Sequence, residues 1–144
     1  MRALPLIVAA ALISGCQTTD GAVITGSTPL TVTGSVASAI AGDMASRLAE
    51  QIGPSGTTSI RMRKDDTEYA TALEAALKGW GYIVTTDGKT AKDHKSVEIH
   101  YSLNSFDGQL FAHLDTPSIA LGRTYNVVGA GAVPSSPLSI MQRN

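Results

Sequence analysis

Cysteine occurs once in this sequence, at position 16, so no intramolecular disulfide can form and the fold must rest on its apolar core. Histidine is nearly as scarce. His94, His100 and His113 match no zinc-ligand spacing and have no second cysteine to complete a set, so no metal is expected. Neither sign of charge prevails. The formal net charge is −1 and the basic residues are scattered, which leaves no electrostatic footprint for nucleic acid, and no direct nucleic-acid binding is expected. The apolar run LPLIVAAALI at 4–13 is shorter than the ~20 residues of a membrane-spanning helix. Catalytic signatures are also missing. Ser102 and Ser105 belong to no histidine-centred motif, and GAGA at 129–132 lacks the Lys-Ser/Thr that completes a phosphate loop. The expectation is a protein that is not an enzyme and carries no dissociable cofactor.

What is present begins at the N-terminus. Arg2 precedes the apolar run, and Ser14 and Gly15 precede Cys16, which is the layout of an exported protein's signal peptide. Ile13-Ser14-Gly15-Cys16 resembles the lipobox of bacterial lipoproteins. There a branched residue and two small ones present a cysteine whose thiolate accepts a lipid. The resemblance implies cleavage after Gly15 and a covalent lipid on Cys16. Gln17 stands where lipoproteins retained in the inner membrane commonly carry aspartate, which points to the outer membrane, facing the periplasm.

Four segments follow from composition and periodicity: a signal peptide at 1–15, a Gly-, Thr- and Ser-rich tether at 16–34, one α+β domain at 35–133, and a Pro/Ser-rich tail at 134–144. Val36, Ile40, Met44, Leu48 and Ile52 recur four apart beside Ala37, Ala41, Ala45 and Ala49, an amphipathic helix capped by Ser35 and stopped by Gly53-Pro54. Its apolar face either packs within the domain or docks on a partner. TTSIRMRKD alternates as a strand. Asp65, Asp66 or Thr67 then caps a second helix whose Tyr69, Leu73, Ala76, Leu77 and Trp80 share a core-facing side. The Asp65-Asp66 pair reads as capping rather than acid/base chemistry.

YIVTT is a further strand. Val97, Ile99, Tyr101 and Leu103, then Leu110, Ala112 and Leu114, alternate with polar residues around a turn at 104–108, so a hairpin with one wet face is predicted. His100 and His113 fall on its facing strands, where a cross-strand pair is one reading and a solvated face the other. RTYNVVGAGAV is one more strand, and the later strands are expected to run antiparallel. In the tail, Pro134 and Pro137 discourage regular structure while Leu138, Ile140 and Met141 are apolar. Those three residues are candidates for partner binding, either as a recognition peptide or folded back on the domain's own sheet.

Four blocks resemble the TrbH family of conjugal transfer lipoproteins: IAGDMASRLAEQIGP at 40–54, EYATALEAALKGWGY at 68–82, TPSIALGR at 116–123 and SPLSIMQRN at 136–144. The resemblance implies a structural part of a type IV secretion apparatus for mating-pair formation, with other channel subunits as partners and no catalytic residue to transfer. The order strand, ALEAALKGWGY helix, strand and hairpin is also similar to the ring-forming N-terminal domains of secretins.

Overall fold

A computed structural model describes residues 30–144. The expected signal peptide, Ile13, Ser14, Gly15 and Cys16, and the tether as far as residue 29 lie outside the described residues. Two helices and seven strands follow in the order α1 (Gly34–Ile52), β1 (Thr58–Met62), α2 (Glu68–Gly79), β2 (Ile83–Thr85), β3 (Lys95–Phe106), β4 (Gln109–Asp115), β5 (Ile119–Val128), β6 (Gly131–Pro134) and β7 (Ser139–Gln142). The class is α+β, as the element order predicts.

Helix α1 begins two residues earlier than expected. Thr33, not Ser35, is the N-cap, its hydroxyl accepting the Val36 N–H at 3.4 Å. Both small and large apolar rows are inside: Val36, Ile40, Met44 and Leu48 together with Ala37, Ala41 and Ala45. That wide face meets α2 and the sheet, so the helix packs within its own domain. Gly53 ends it at a φ of 97°, a conformation with no steric cost for glycine. In α2 the cap is Thr67, which accepts the Ala70 N–H at 3.1 Å, while Asp65 Oδ1 accepts the Thr67 N–H at 3.0 Å just outside.

The strands form one mixed sheet in the order β2-β1-β3-β4-β5-β6, with β7 also on β5. Strands β1, β2 and the first half of β3 run parallel, contrary to the all-antiparallel expectation for the later strands. Helix α2 is the cause, since it returns the chain so that β2 starts at the same end as β1. From β3 onward the ladder is antiparallel. The β3–β4 turn is tighter than expected, made by Asp107 and Gly108 alone, both at positive φ (52° and 75°), as a two-residue hairpin requires.

The expected strand at 123–133 divides into β5 and β6 around Gly129, with φ 58°. The inward rows of the hairpin behave as the alternation predicts, with Ile99, Leu110, Ala112 and Leu114 buried and Glu98 and His100 exposed. Among the described residues no helix is long and apolar enough to cross a membrane.

Trp80 corrects an expectation. It is 52% exposed: as the C-cap it still donates its N–H to the Ala76 carbonyl at 3.1 Å, but it stands at the very end of α2, where its ring borders a surface cleft with Ala49, Pro54 and Tyr82. Tyr82 takes the buried place instead, 5% exposed, and its hydroxyl donates to the Gly53 carbonyl at 2.6 Å.

Candidate docking surface

Of the two readings of the tail, the structure takes the one in which it folds back on the domain's own sheet, despite Pro134 and Pro137. Tyr125 pairs with Pro134 in β6 and Gly122 pairs with Ser139 in β7, so both strands lie end to end along one side of β5. Between them, residues 135–138 face only Arg123 and Thr124, a bulge that holds Pro137, which has no N–H for a ladder. Serines satisfy the interrupted backbone. Ser135 N–H donates to the Thr124 carbonyl at 2.8 Å, Ser136 Oγ accepts the Thr124 N–H at 3.0 Å, and Arg123 Nε donates to the Ser136 carbonyl at 3.1 Å.

Beyond the bulge, Leu138 packs against the core. Ile140 and Met141 stay 45% and 62% exposed on a strand that, among the described residues, pairs only with β5. Arg143 ties the end down. Its N–H donates to the Ser118 carbonyl at 2.8 Å and its guanidinium meets Asp115. Of the three candidate residues, then, Leu138 serves the domain itself while Ile140 and Met141 lie on an open sheet edge, the geometry that accepts an added strand.

Beneath that edge, α1 is locked to β5 by a cluster that periodicity does not reveal. Asp43 Oδ2 accepts from the Tyr125 hydroxyl at 2.6 Å and from Arg123 Nη1 at 2.9 Å. Tyr125 is 1% exposed. Burial, then the hydrogen bond and charge of Asp43, hold its phenol well above the ordinary tyrosine pKa, so it stays a neutral donor. A charge-assisted hydrogen bond to a buried phenol, balanced by the Arg123 guanidinium and more loosely by Arg47 at 3.7 Å, fixes the edge strands relative to the helix. Spacing along the helix shows Asp43 only as a residue off the apolar stripe. Its partners are 80 and 82 residues away in sequence.

Among the described residues no helix covers the outer face of the sheet, which divides in two. Arg61, Glu98, His100 and Asp115 lie on one part, with Arg61 and Glu98 paired across strands at 3.0 Å. Phe106, Gln109, Asn126 and Val133 form an uncharged row on the other, where Phe111 leans over Gly122 so closely that a Cβ there would sit 3.1 Å from the ring. The two hairpin histidines do not meet. His100 lies opposite Asp115 and His113 opposite Ser102, and His113 Nδ1 sits 3.1 Å from Asp115 Oδ2. Among the described residues no group of three or more metal-ligating side chains converges.

A family profile described as conjugal transfer protein TrbH matches residues 18–144. The chain belongs to the TrbH family. It is also 64% identical, over 140 residues covering 95% of each chain, to a Sinorhizobium fredii protein named "Probable conjugal transfer protein TrbH". The family places the chain among the components of a conjugative transfer system. No solved structure matches it significantly, so the likeness to secretin ring domains gains no support from a known fold. The blocks at 40–54, 68–82, 116–123 and 136–144 that carry the TrbH resemblance map onto α1, α2, β5 and β7, the elements that build the core and its open edge.

Proposed function

We propose that this TrbH-family chain is an outer-membrane lipoprotein and a structural component of the conjugative type IV secretion apparatus, anchoring or stabilising the channel core. The observation that carries the reading is the open edge at β7, which presents Ile140 and Met141 on a strand whose position is set by the bulge and by Asp43. A binding surface held by a rigid scaffold suits an assembly role. Other channel subunits would add a strand or seat apolar side chains there. The lipobox-like Ile13-Ser14-Gly15-Cys16 supports attachment through a lipid on Cys16. Each buried methylene of such an anchor contributes about 0.8 kcal/mol, so several acyl chains make attachment effectively permanent. Gln17 favours retention at the outer membrane.

The alternative is a periplasmic accessory lipoprotein, such as an entry-exclusion or envelope-binding factor. It would share the anchor and lack stable association with the channel. Labelling with radioactive palmitate and co-purification from detergent extracts, for the parent and Cys16→Ser, test both parts. The expected result is label only on the parent, together with recovery of channel subunits. Equal label on Cys16→Ser overturns the lipid anchor, and a labelled protein that recovers no channel subunit favours the accessory role.

A further inference from the structure

Strands β2, β1 and the first half of β3 run parallel, and β1 is the point where the connections part: α2 leads to β2 on one side, and the next connection returns to β3 on the other. In open sheets with parallel strands, a ligand crevice forms outside the carboxyl ends at such a switch point. A cavity of about 700 Å³ lies there, bounded by the end of β1, by Thr86 and Gly88 after β2, and by His100 on β3.

Its charge is one-sided. Arg61, Arg63 and Lys64 line it against the single carboxylate of Glu98. Arg61 gives Nη2 to Glu98 at 3.0 Å, but its Nε is buried and has no hydrogen-bond partner among the described residues. Arg63 is 81% exposed at the side chain, its only ion-pair contact among the described residues a loose 3.8 Å to Asp65, and Lys64 forms none there. Two guanidinium groups and an ammonium therefore line one opening, and the Arg63 and Lys64 side chains make no hydrogen bond there among the described residues.

We propose that this crevice binds a phosphate group. A carboxylate is saturated by one guanidinium fork, whereas a phosphate offers more charge and more oxygens and so engages several cations at once. The group could be carried by a lipid headgroup or by a soluble phosphate ester, and the cavity has room for either. The assignment stands on the crevice alone and does not depend on the lipid on Cys16.

Amide chemical shifts of the full-length chain in neutral detergent, titrated with inorganic phosphate and separately with acetate, provide the test. Vesicles of phosphatidylglycerol against phosphatidylcholine form a third arm. Shifts confined to residues 61–64, 86–88 and 98–101 are expected with phosphate and not with acetate at equal concentration. Arg63→Gln combined with Lys64→Gln should weaken binding about tenfold, the loss expected when exposed charge-assisted hydrogen bonds are removed. Lys78→Gln, on α2 and paired with Glu74, should leave it unchanged. Selective binding to phosphatidylglycerol vesicles that the double substitution abolishes, without a response to free phosphate, assigns the group to a lipid. Absence of binding in every arm, an equal response to acetate, or binding indifferent to the double substitution overturns the site.

Discussion

Leu77 and Trp80 stand three residues apart on what looks like one helical face, and they have opposite roles. Leu77 is 0% exposed and Trp80 is 52% exposed. Size and hydrophobicity would rank the tryptophan as the anchor, but it is the C-cap, and its ring borders a shallow cleft with Ala49, Pro54 and Tyr82. Removing a fully enclosed leucine leaves a cavity, so Leu77→Ala should cost about 2–5 kcal/mol. Trp80→Ala leaves little void and should cost about 1 kcal/mol or less. Chemical denaturation of the two variants checks this order, and a larger loss at Trp80 would contradict the burial. Helical periodicity misplaces Trp80 because a wheel has no knowledge of where the last turn ends.

Strand β7 poses the question of the tail at the scale of an element. It completes the sheet beside β5, brings Leu138 onto the core and places Arg143 by Asp115. Deleting residues 136–144 removes that burial and the ladder bonds. The expected cost is about 2–3 kcal/mol, from a partly buried leucine and several net hydrogen bonds. For a domain of this size that is a fall in melting temperature of roughly 10 °C or more. Ile140→Ser with Met141→Ser should instead melt near the parent and recover less of the channel subunits, because those two side chains are largely exposed. A deletion that melts like the parent would show that β7 adds nothing to the fold. A double variant with full recovery would remove the edge as the docking surface.

Across the whole molecule, four tyrosines couple the fold to alkaline pH. Burial raises the phenol pKa of Tyr69, Tyr82, Tyr101 and Tyr125, with Tyr101 adding to the effect at Tyr69 and Asp43 to that at Tyr125. Below the unfolded-state pKa of about 10 both states keep their phenolic protons, and these groups make stability independent of pH. Above it the unfolded chain releases protons that the native state still holds, so stability falls as pH rises. Urea midpoints measured at increasing pH should be level up to about pH 9 and decline beyond pH 10, and tyrosinate absorbance should appear together with unfolding. Tyr125→Phe cannot ionise and should flatten part of that decline. Ionisation of all four phenols before unfolding would contradict their burial.

Local pattern alone determined both helices, since the spacing of Val36, Ile40, Met44 and Leu48 and of Tyr69, Leu73 and Leu77 needs no partner to be recognised. It likewise determined the inward rows of the β3–β4 hairpin, and the blocks quoted for the TrbH resemblance belong to a chain that the family comparison places in that family. Tertiary structure decided the rest. Whether β2 pairs parallel or antiparallel depends on the return path of α2, and whether SIMQ is a free peptide or a strand depends on the vacant side of β5. The Asp43–Arg123–Tyr125 cluster and the basic crevice exist only because residues far apart in sequence are brought together. Periodicity records which side of an element avoids water; it does not record which other element will cover it.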